Sequence, residues 1–210
     1  KINIIIPYRN TPTELAQFDR KKHLETFVKK MKVFIPKIKK YLQGKNINSD
    51  IDITVVEQTE KHKFNRGALL NIGFKQNENY DAYIFHDVDL IPNDSMVDVY
   101  GGPYAKNDIA HIASEWERWK GNKSNKYLGG VLLVGKDIFK KVNGFPNNFF
   151  GWGGEDDELR RRFETHLKSK YKGYIKFVGK KNGLNDLEKI KTAREKLDLL
   201  TETDKNPVRW

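Results

Sequence analysis

An α/β fold with a mostly parallel central sheet flanked by helices is predicted for this chain by three observations. Short apolar runs alternate with helix-spaced stretches, which is the pattern of strand and helix in turn. One of the apolar runs ends in Asp-x-Asp, placing alternate carboxylates at the carboxyl end of a strand, where open α/β sheets bind ligands. The length, 210 residues, suits one domain with a sizeable core, so a single unit over 1–210 is expected.

Residues 2–6 are apolar and closed by Pro7, a first buried strand whose end faces the ligand side. From about residue 14 to 42, Leu15, Phe18, Leu24, Phe27, Val28, Met31, Phe34, Ile35, Ile38 and Leu42 recur at helical spacing, with Pro36 expected to kink or break the helix. Residues 51–57 alternate and then run apolar as a second strand, followed by a polar stretch over 58–63. A helix is expected over 65–74 and a third strand at Tyr83-Ile84-Phe85, which runs into His86-Asp87-Val88-Asp89. Further strands are predicted at 111–114 and 130–134, with helices at 136–142 and, opening on acids, at 155–167. After Gly183-Leu184-Asn185-Asp186-Leu187 a long polar helix is expected to about residue 200, with Leu187, Ile190, Leu197 and Leu200 as its packing stripe.

Composition sets limits. The net charge of +11, from 39 basic and 28 acidic residues, is carried by lysines scattered along 21–45, 120–126, 168–181 and 189–205. A nucleic-acid surface predicts clustered Arg and stacking aromatics instead, so no nucleic-acid partner is expected. A basic rim would also draw in a nucleotide diphosphate or an anionic glycan. With no cysteine there is neither a disulfide nor a thiolate metal site, which favours a reducing, cytoplasmic setting. No run of about 18 apolar residues exists, so no membrane span is expected. The chain opens on a strand without a signal peptide, and its first residue is Lys, as in a catalytic portion of a longer protein.

The run Asn147-Asn148-Phe149-Phe150-Gly151-Trp152-Gly153-Gly154-Glu155-Asp156-Asp157-Glu158 carries most of the chemistry. Glycines beside a tryptophan let backbone approach a ligand, and four adjacent carboxylates repel one another, which a merely solvated helix start does not need. The two carboxylates Asp87 and Asp89 are hard oxygen donors suited to a divalent cation that also holds phosphates. The neighbouring His86 points the other way along the strand and reads as a structural histidine.

These blocks, together with Ile4-Ile5-Ile6-Pro7-Tyr8-Arg9-Asn10, Phe64-Asn65-Arg66-Gly67-Ala68-Leu69-Leu70-Asn71-Ile72-Gly73-Phe74, Tyr127-Leu128-Gly129-Gly130 and Asn143-Gly144-Phe145-Pro146, resemble the β-1,4-galactosyltransferase family in order and rough spacing. The His before Asp-Val-Asp is most similar to the branch that adds galactose to xylose. The resemblance implies a single-domain nucleotide-diphospho-sugar transferase fold of the GT-A type. Within it, 1–134 would bind the nucleotide sugar, 135–170 the acceptor and catalytic groups, and 171–210 would form a divergent C-terminal segment.

It also implies roles for individual residues. Pro7, Tyr8, Arg9 and Asn10 would hold uridine and ribose, Phe64 would pack the uracil and Arg66 reach the nucleotide. In the strand-end motif, which includes Val88, Asp87 would contact ribose or metal-bound water and Asp89 would ligate manganese. Tyr127 and Gly130 would lie beside the donor sugar, the tyrosine favouring galactose over N-acetylated sugars. Trp152 would cap the sugar, Gly153 and Gly154 leave room for the acceptor, Glu155 and Asp157 hold its hydroxyls, and Asp156 act as catalytic base. Glu158 reads as helix surface.

The implied activity is inverting, metal-dependent transfer of galactose from UDP-galactose to a glycan hydroxyl, giving a β-linkage. A UDP-GalNAc or UDP-GlcNAc transferase of the chondroitin-polymerase type, and a glycan-binding module without turnover, are the alternatives. Two departures stand out: Thr11 replaces a basic residue common in the family, and 171–183 lacks the histidine that completes the family's metal site. Water, His111, His166 or a further loop are the candidates for that third ligand.

Overall fold

The computed structural model describes residues 1–10, 18–59, 62–116, 127–168, 174–190, 192, 194 and 195. Thr11, the lysines of 120–126 and the C-terminal tail with Leu197, Leu200 and Trp210 lie outside the described residues.

Five short apolar stretches and one alternating one build a six-stranded sheet in the order β2-β1-β3-β6-β5-β7. The strands are β1 (Ile2–Tyr8), β2 (Ile51–Glu57), β3 (Ala82–His86), β5 (Ile109–His111), β6 (Val131–Gly135) and β7 (Ile175–Phe177). β1 pairs parallel with both β2 and β3, and β5 parallel with β7, whereas β6 runs antiparallel between β3 and β5. A two-stranded antiparallel sheet of β4 (Leu90–Pro92) and β8 (Leu184–Asp186) ties the C-terminal segment to the strand-end motif. The sheet is thus mixed but mostly parallel, in line with the alternation in the sequence.

Both sheet faces are covered, which is why β1 and β3 read as continuous apolar runs. Ile4 and Ile6 face a core with Phe27, Met31, Phe34 and Ile38 of α1 (Arg20–Gln43), while Ile5 faces the opposite core with Leu70 and Phe74 of α2 (Arg66–Gln76). That second core also takes Phe139 of α4 (Lys136–Lys141) and Leu159 and Phe163 of α5 (Glu155–Leu167). A short α3 (Val97–Tyr100) packs Tyr100 edge-on to Phe34.

Three expectations are corrected. α1 continues through Pro36, whose ring is exposed, because Phe34 and Ile38 on either side stay buried in the core. Its described start is Arg20, capped by Asp19, whose side chain accepts the Lys22 N–H at 3.0 Å. Residues 112–114 form a 3-10 turn rather than strand, so β5 ends at His111. The expected helix does not begin at Leu187: Leu184–Asp186 is strand β8, the buried Ile190 and partly buried Leu187 pack as irregular chain beyond it, and of the later residues Arg194 and Glu195 are helical while most of the rest lie outside the described residues.

Candidate active site

The site forms because the loop before α5 is strapped onto the start of α2. Asn65 caps α2 by accepting the Ala68 N–H at 2.9 Å and donates through Nδ2 to the Asn147 carbonyl at 2.6 Å. One turn on, Asn71 Nδ2 donates to the Phe145 carbonyl and to Asn147 Oδ1, both at 2.8 Å, and its Oδ1 accepts the Phe145 N–H at 3.0 Å. A Cβ at Gly67 would stand 2.3 Å from the Pro146 carbonyl oxygen, so only glycine permits this approach. The Gly151 N–H closes the strap on the Phe64 carbonyl at 2.8 Å. Two blocks about eighty residues apart in the chain therefore form one unit, and α5 presents its acids to Arg66.

Arg66 is the hub. Its Nε donates to Asp87 Oδ1 at 2.7 Å and its Nη1 to Glu155 Oε1 at 3.4 Å, with the guanidinium 5.9 Å from the Phe145 ring centroid. The Asp87 N–H donates to the Gly130 carbonyl at 3.0 Å, joining the end of β3 to the beginning of β6. At Gly129 an added Cβ would lie 2.4 Å from Asp156 Oδ2 and 2.8 Å from the Tyr127 ring, so the base candidate and the tyrosine close over this glycine from two sides. His111 Nε2 lies 3.0 Å from the Gly129 carbonyl oxygen and, as the Nε2–H tautomer, donates to it. Sequence reasoning gave Gly129 and His111 no such part.

Four consecutive carboxylates at a helix start gain from the helix dipole but repel one another. Burial pushes the Glu155 carboxyl up to about 7, with Asp156 adding to the shift and Arg66 opposing it. Burial also raises Asp156, against the pull of Arg66, and raises Asp87 in the same way. For Arg66, burial works against the charge, but Asp87, then Glu155 and Asp156, outweigh it and hold the guanidinium firmly protonated. Asp156 also accepts the Asp157 N–H at 3.0 Å, which turns its carboxylate toward the helix start. Asp156 is half-buried, and a carboxylate with a raised pKa is the kind of group that serves as a general base near neutral pH.

The remaining sequence candidates take distinct places. Arg9 donates to the His62 carbonyl at 2.6 Å and stands 5.7 Å from the Phe64 ring centroid, which joins the turn after β1 to the segment before α2. Asn10 is half-buried in the same turn. Pro7, Tyr8 and Val88 are buried. Trp152 is 41% exposed and Phe150, two positions before it, is exposed as well, both in the loop that leads into α5. Gly153, at φ 91°, has nothing within 4 Å of where a Cβ would stand, whereas at Gly154, φ 92°, the Phe149 ring fills that space at 2.7 Å. Room for a ligand thus exists at Gly153, and Gly154 supplies the left-handed turn into α5. Asp157 is exposed and 3.9 Å from Arg160, and Glu158 is tied to Arg161 and Arg162 along the helix.

His86 is fully buried, with Nδ1 2.8 Å from the Asp87 carbonyl oxygen and Nε2 2.7 Å from Tyr100 Oη, and burial lowers its pKa to about 4. It braces the strand end as a neutral ring, the structural part expected of it.

Asp89, the candidate metal ligand, faces away from Arg66 into a second cluster. Arg20 Nη1 donates to Asp89 Oδ2 at 3.1 Å, and Arg20 Nη2 is hydrogen-bonded to Glu188 Oε1. One ligand oxygen each from Asp89, Asp186 and Glu188 lie within 4.8 Å of one another. This all-oxygen donor set fits a hard divalent cation. Neither His111 nor His166 belongs to the cluster. Arg20, Asp186 and Glu188 are functional candidates that sequence reasoning missed; the Gly183-Leu184-Asn185-Asp186 block was the signal available for one of them, Asp186.

Comparison with known proteins identifies the family and the fold. The family model described as the N-terminal region of glycosyl transferase group 7 matches residues 1–101, and the one described as the N-terminal domain of galactosyltransferase matches 110–185. Beta-1,4-galactosyltransferase 4 of Rattus norvegicus is 38% identical over 169 residues, covering 79% of this chain and 43% of that protein. Beta-1,4-galactosyltransferase 7 of Homo sapiens is 39% identical over 165 residues, 78% of this chain and 44% of the relative. The matched part thus spans less than half the length of these relatives. A crystal structure of Drosophila β1,4-galactosyltransferase 7 in complex with manganese, UDP-Gal and xylobiose superposes with a TM-score of 0.62 at 30% identity, over 84% of this chain and 63% of that one. The fold is that of GT-A nucleotide-sugar transferases. Among the described residues no helix is long and apolar enough to cross a membrane.

Proposed function

The chain belongs to the β-1,4-galactosyltransferase family, and from that premise we propose that it transfers galactose from UDP-galactose to a sugar hydroxyl of a glycan, with inversion, to give a β-linkage. The observation that carries this reading is the single cluster in which Arg66 joins Asp87, at the end of β3, to Glu155, beside Asp156, at the start of α5. In this reading the strand-end carboxylate serves the nucleotide side and Asp156 the acceptor side, and the shared Arg66 supports both roles by keeping them together. Xylobiose in the Drosophila complex supports a xyloside as one acceptor class.

In this reading Asp156 takes the proton from the acceptor hydroxyl as that oxygen attacks the anomeric carbon of the α-linked donor. The anomeric carbon–phosphate oxygen bond breaks on the opposite face and UDP leaves. The raised pKa of Asp156 keeps its conjugate acid stable once the proton has arrived. Glu155 holds an acceptor hydroxyl, Trp152 covers the sugar, and Tyr127 beside Gly130 limits space near the donor. Arg66 keeps the carboxylates apart and Asp87 turned toward the nucleotide. A divalent cation held by Asp89 would stabilise the negative charge that develops on the departing diphosphate.

The test is UDP release and glycoside product from a panel of UDP-sugars with xylosides and N-acetylglucosaminides, with manganese or with chelator. Manganese-dependent transfer from UDP-galactose is expected. Preferred transfer from UDP-GlcNAc or UDP-GalNAc would overturn the donor assignment, and UDP binding without turnover for any pair would overturn the catalytic one.

A further inference from the structure

We propose that Asp186 and Glu188, supplied by β8 and the residues after it, complete the divalent-cation site begun by Asp89, in place of the histidine segment that this chain lacks. The inference rests on the assignment of Asp89 as a metal ligand and identifies its partners.

Three observations lead to it. β8 pairs antiparallel with β4 in the register Leu90 with Asp186, and the Leu187 N–H donates to the Asp89 carbonyl at 2.9 Å, so the C-terminal segment is fixed alongside the strand-end motif by backbone bonds. Asp186 and Glu188 are 6% and 1% exposed, and their ligand oxygens lie within 4.8 Å of each other and of the Asp89 ligand oxygen. A fold buries carboxylates this close only with cationic partners. The third observation is Arg20, whose guanidinium bridges Asp89 and Glu188 and so stands in for a cation at the carboxylates themselves.

The local chain is shaped for this. Asp186 Oδ1 accepts the Glu188 N–H at 3.0 Å, which folds the two side chains to the same side of the segment. An all-carboxylate set differs in kind from one containing imidazole: hard oxygens accept magnesium and calcium as well as manganese, whereas imidazole favours zinc and the later transition metals. Arg20 competes for Asp89 and Glu188, so its removal should tighten cation binding.

The experiment is a titration of the intact chain with manganese, with and without UDP, followed by loss of the free-ion electron paramagnetic resonance signal and by calorimetry. Wild type is compared with Asp186→Asn, Glu188→Gln, Asp89→Asn and Arg20→Gln, each first shown to melt cooperatively in chelator. The expected result is one tight site in wild type. Asp186→Asn and Glu188→Gln should each weaken it by at least about tenfold, as Asp89→Asn does, since charge count sets the affinity of such sites. Arg20→Gln should strengthen it, and magnesium should compete. If Asp89→Asn loses manganese while folded Asp186→Asn and Glu188→Gln both retain wild-type affinity, the proposal is overturned and the Asp89 reading survives. If all three variants bind as wild type does, both fall.

Discussion

Replacing Arg66 with methionine tests the reading of the site as a single charge cluster. The change keeps much of the side-chain volume and removes the cation that, among the described residues, Asp87 and Glu155 share, leaving those carboxylates and Asp156 facing one another in a partly buried cluster. Breaking a buried ion pair from one side costs about 3–5 kcal/mol. For a chain of this size, 1 kcal/mol moves the melting temperature by about 2–4 °C, so a loss of roughly 6–20 °C is expected at pH 8. The sign of the pH dependence follows from the acids. Carboxyls whose folded pKa is raised destabilise the fold as pH climbs above their unfolded values, and removing Arg66 raises them further. The penalty should therefore be full at pH 8 and shrink markedly at pH 5, where Glu155, already near 7, is protonated. Thermal unfolding of both proteins at the two pH values provides the assay. An equal drop at both would mean that Arg66 matters through packing, and a drop under about 2 °C at pH 8 would refute the cluster as described.

Three other predictions concern neighbouring groups. Asp156→Asn should retain UDP binding by calorimetry and lose transfer by about 10²–10⁴-fold, and near-normal turnover would remove Asp156 as base. Gly129→Ala, with its Cβ 2.4 Å from Asp156 Oδ2, should lower turnover by about tenfold or more while shifting the melting temperature little; unchanged kinetics would show that the carboxylate moves freely. His86 and His111 both have pKa values lowered by burial from 6.5 to about 4, so each contributes stability that is complete above pH 6.5 and is lost as pH falls toward 4. Between pH 7 and 5 that loss is about 2 kcal/mol per histidine. A His111→Gln variant, followed by urea unfolding, should show a correspondingly flatter profile than wild type over that interval, after the opposing relief of Glu155 common to both proteins cancels. An identical slope would mean that burial does not shift His111 between the unfolded and folded states.

The sequence by itself determined the apolar runs of β1, β2, β3 and β6 and the α5 boundaries from Glu155 to Leu167, and it singled out Asp87, Asp89, Glu155 and Asp156 as candidates, because each leaves a local signature. Apolar runs and an acidic helix start are written in adjacent residues. Pro36 misled because exposure lets a helix continue through a proline when both neighbouring turns are buried. The turn at 112–114 misled because buried apolar residues look alike in strand and 3-10 conformation. Only the tertiary structure decided that Arg66 would join Asp87 to Glu155, that Gly129 would make room for Asp156, and that Arg20, Asp186 and Glu188 would gather around Asp89. Those partners stand between 21 and 168 positions apart in the chain, except the Asp186–Glu188 pair. No periodicity links such residues; what brings them together is the pairing of β4 with β8 and the strap of Asn65 and Asn71 on residues 145–147.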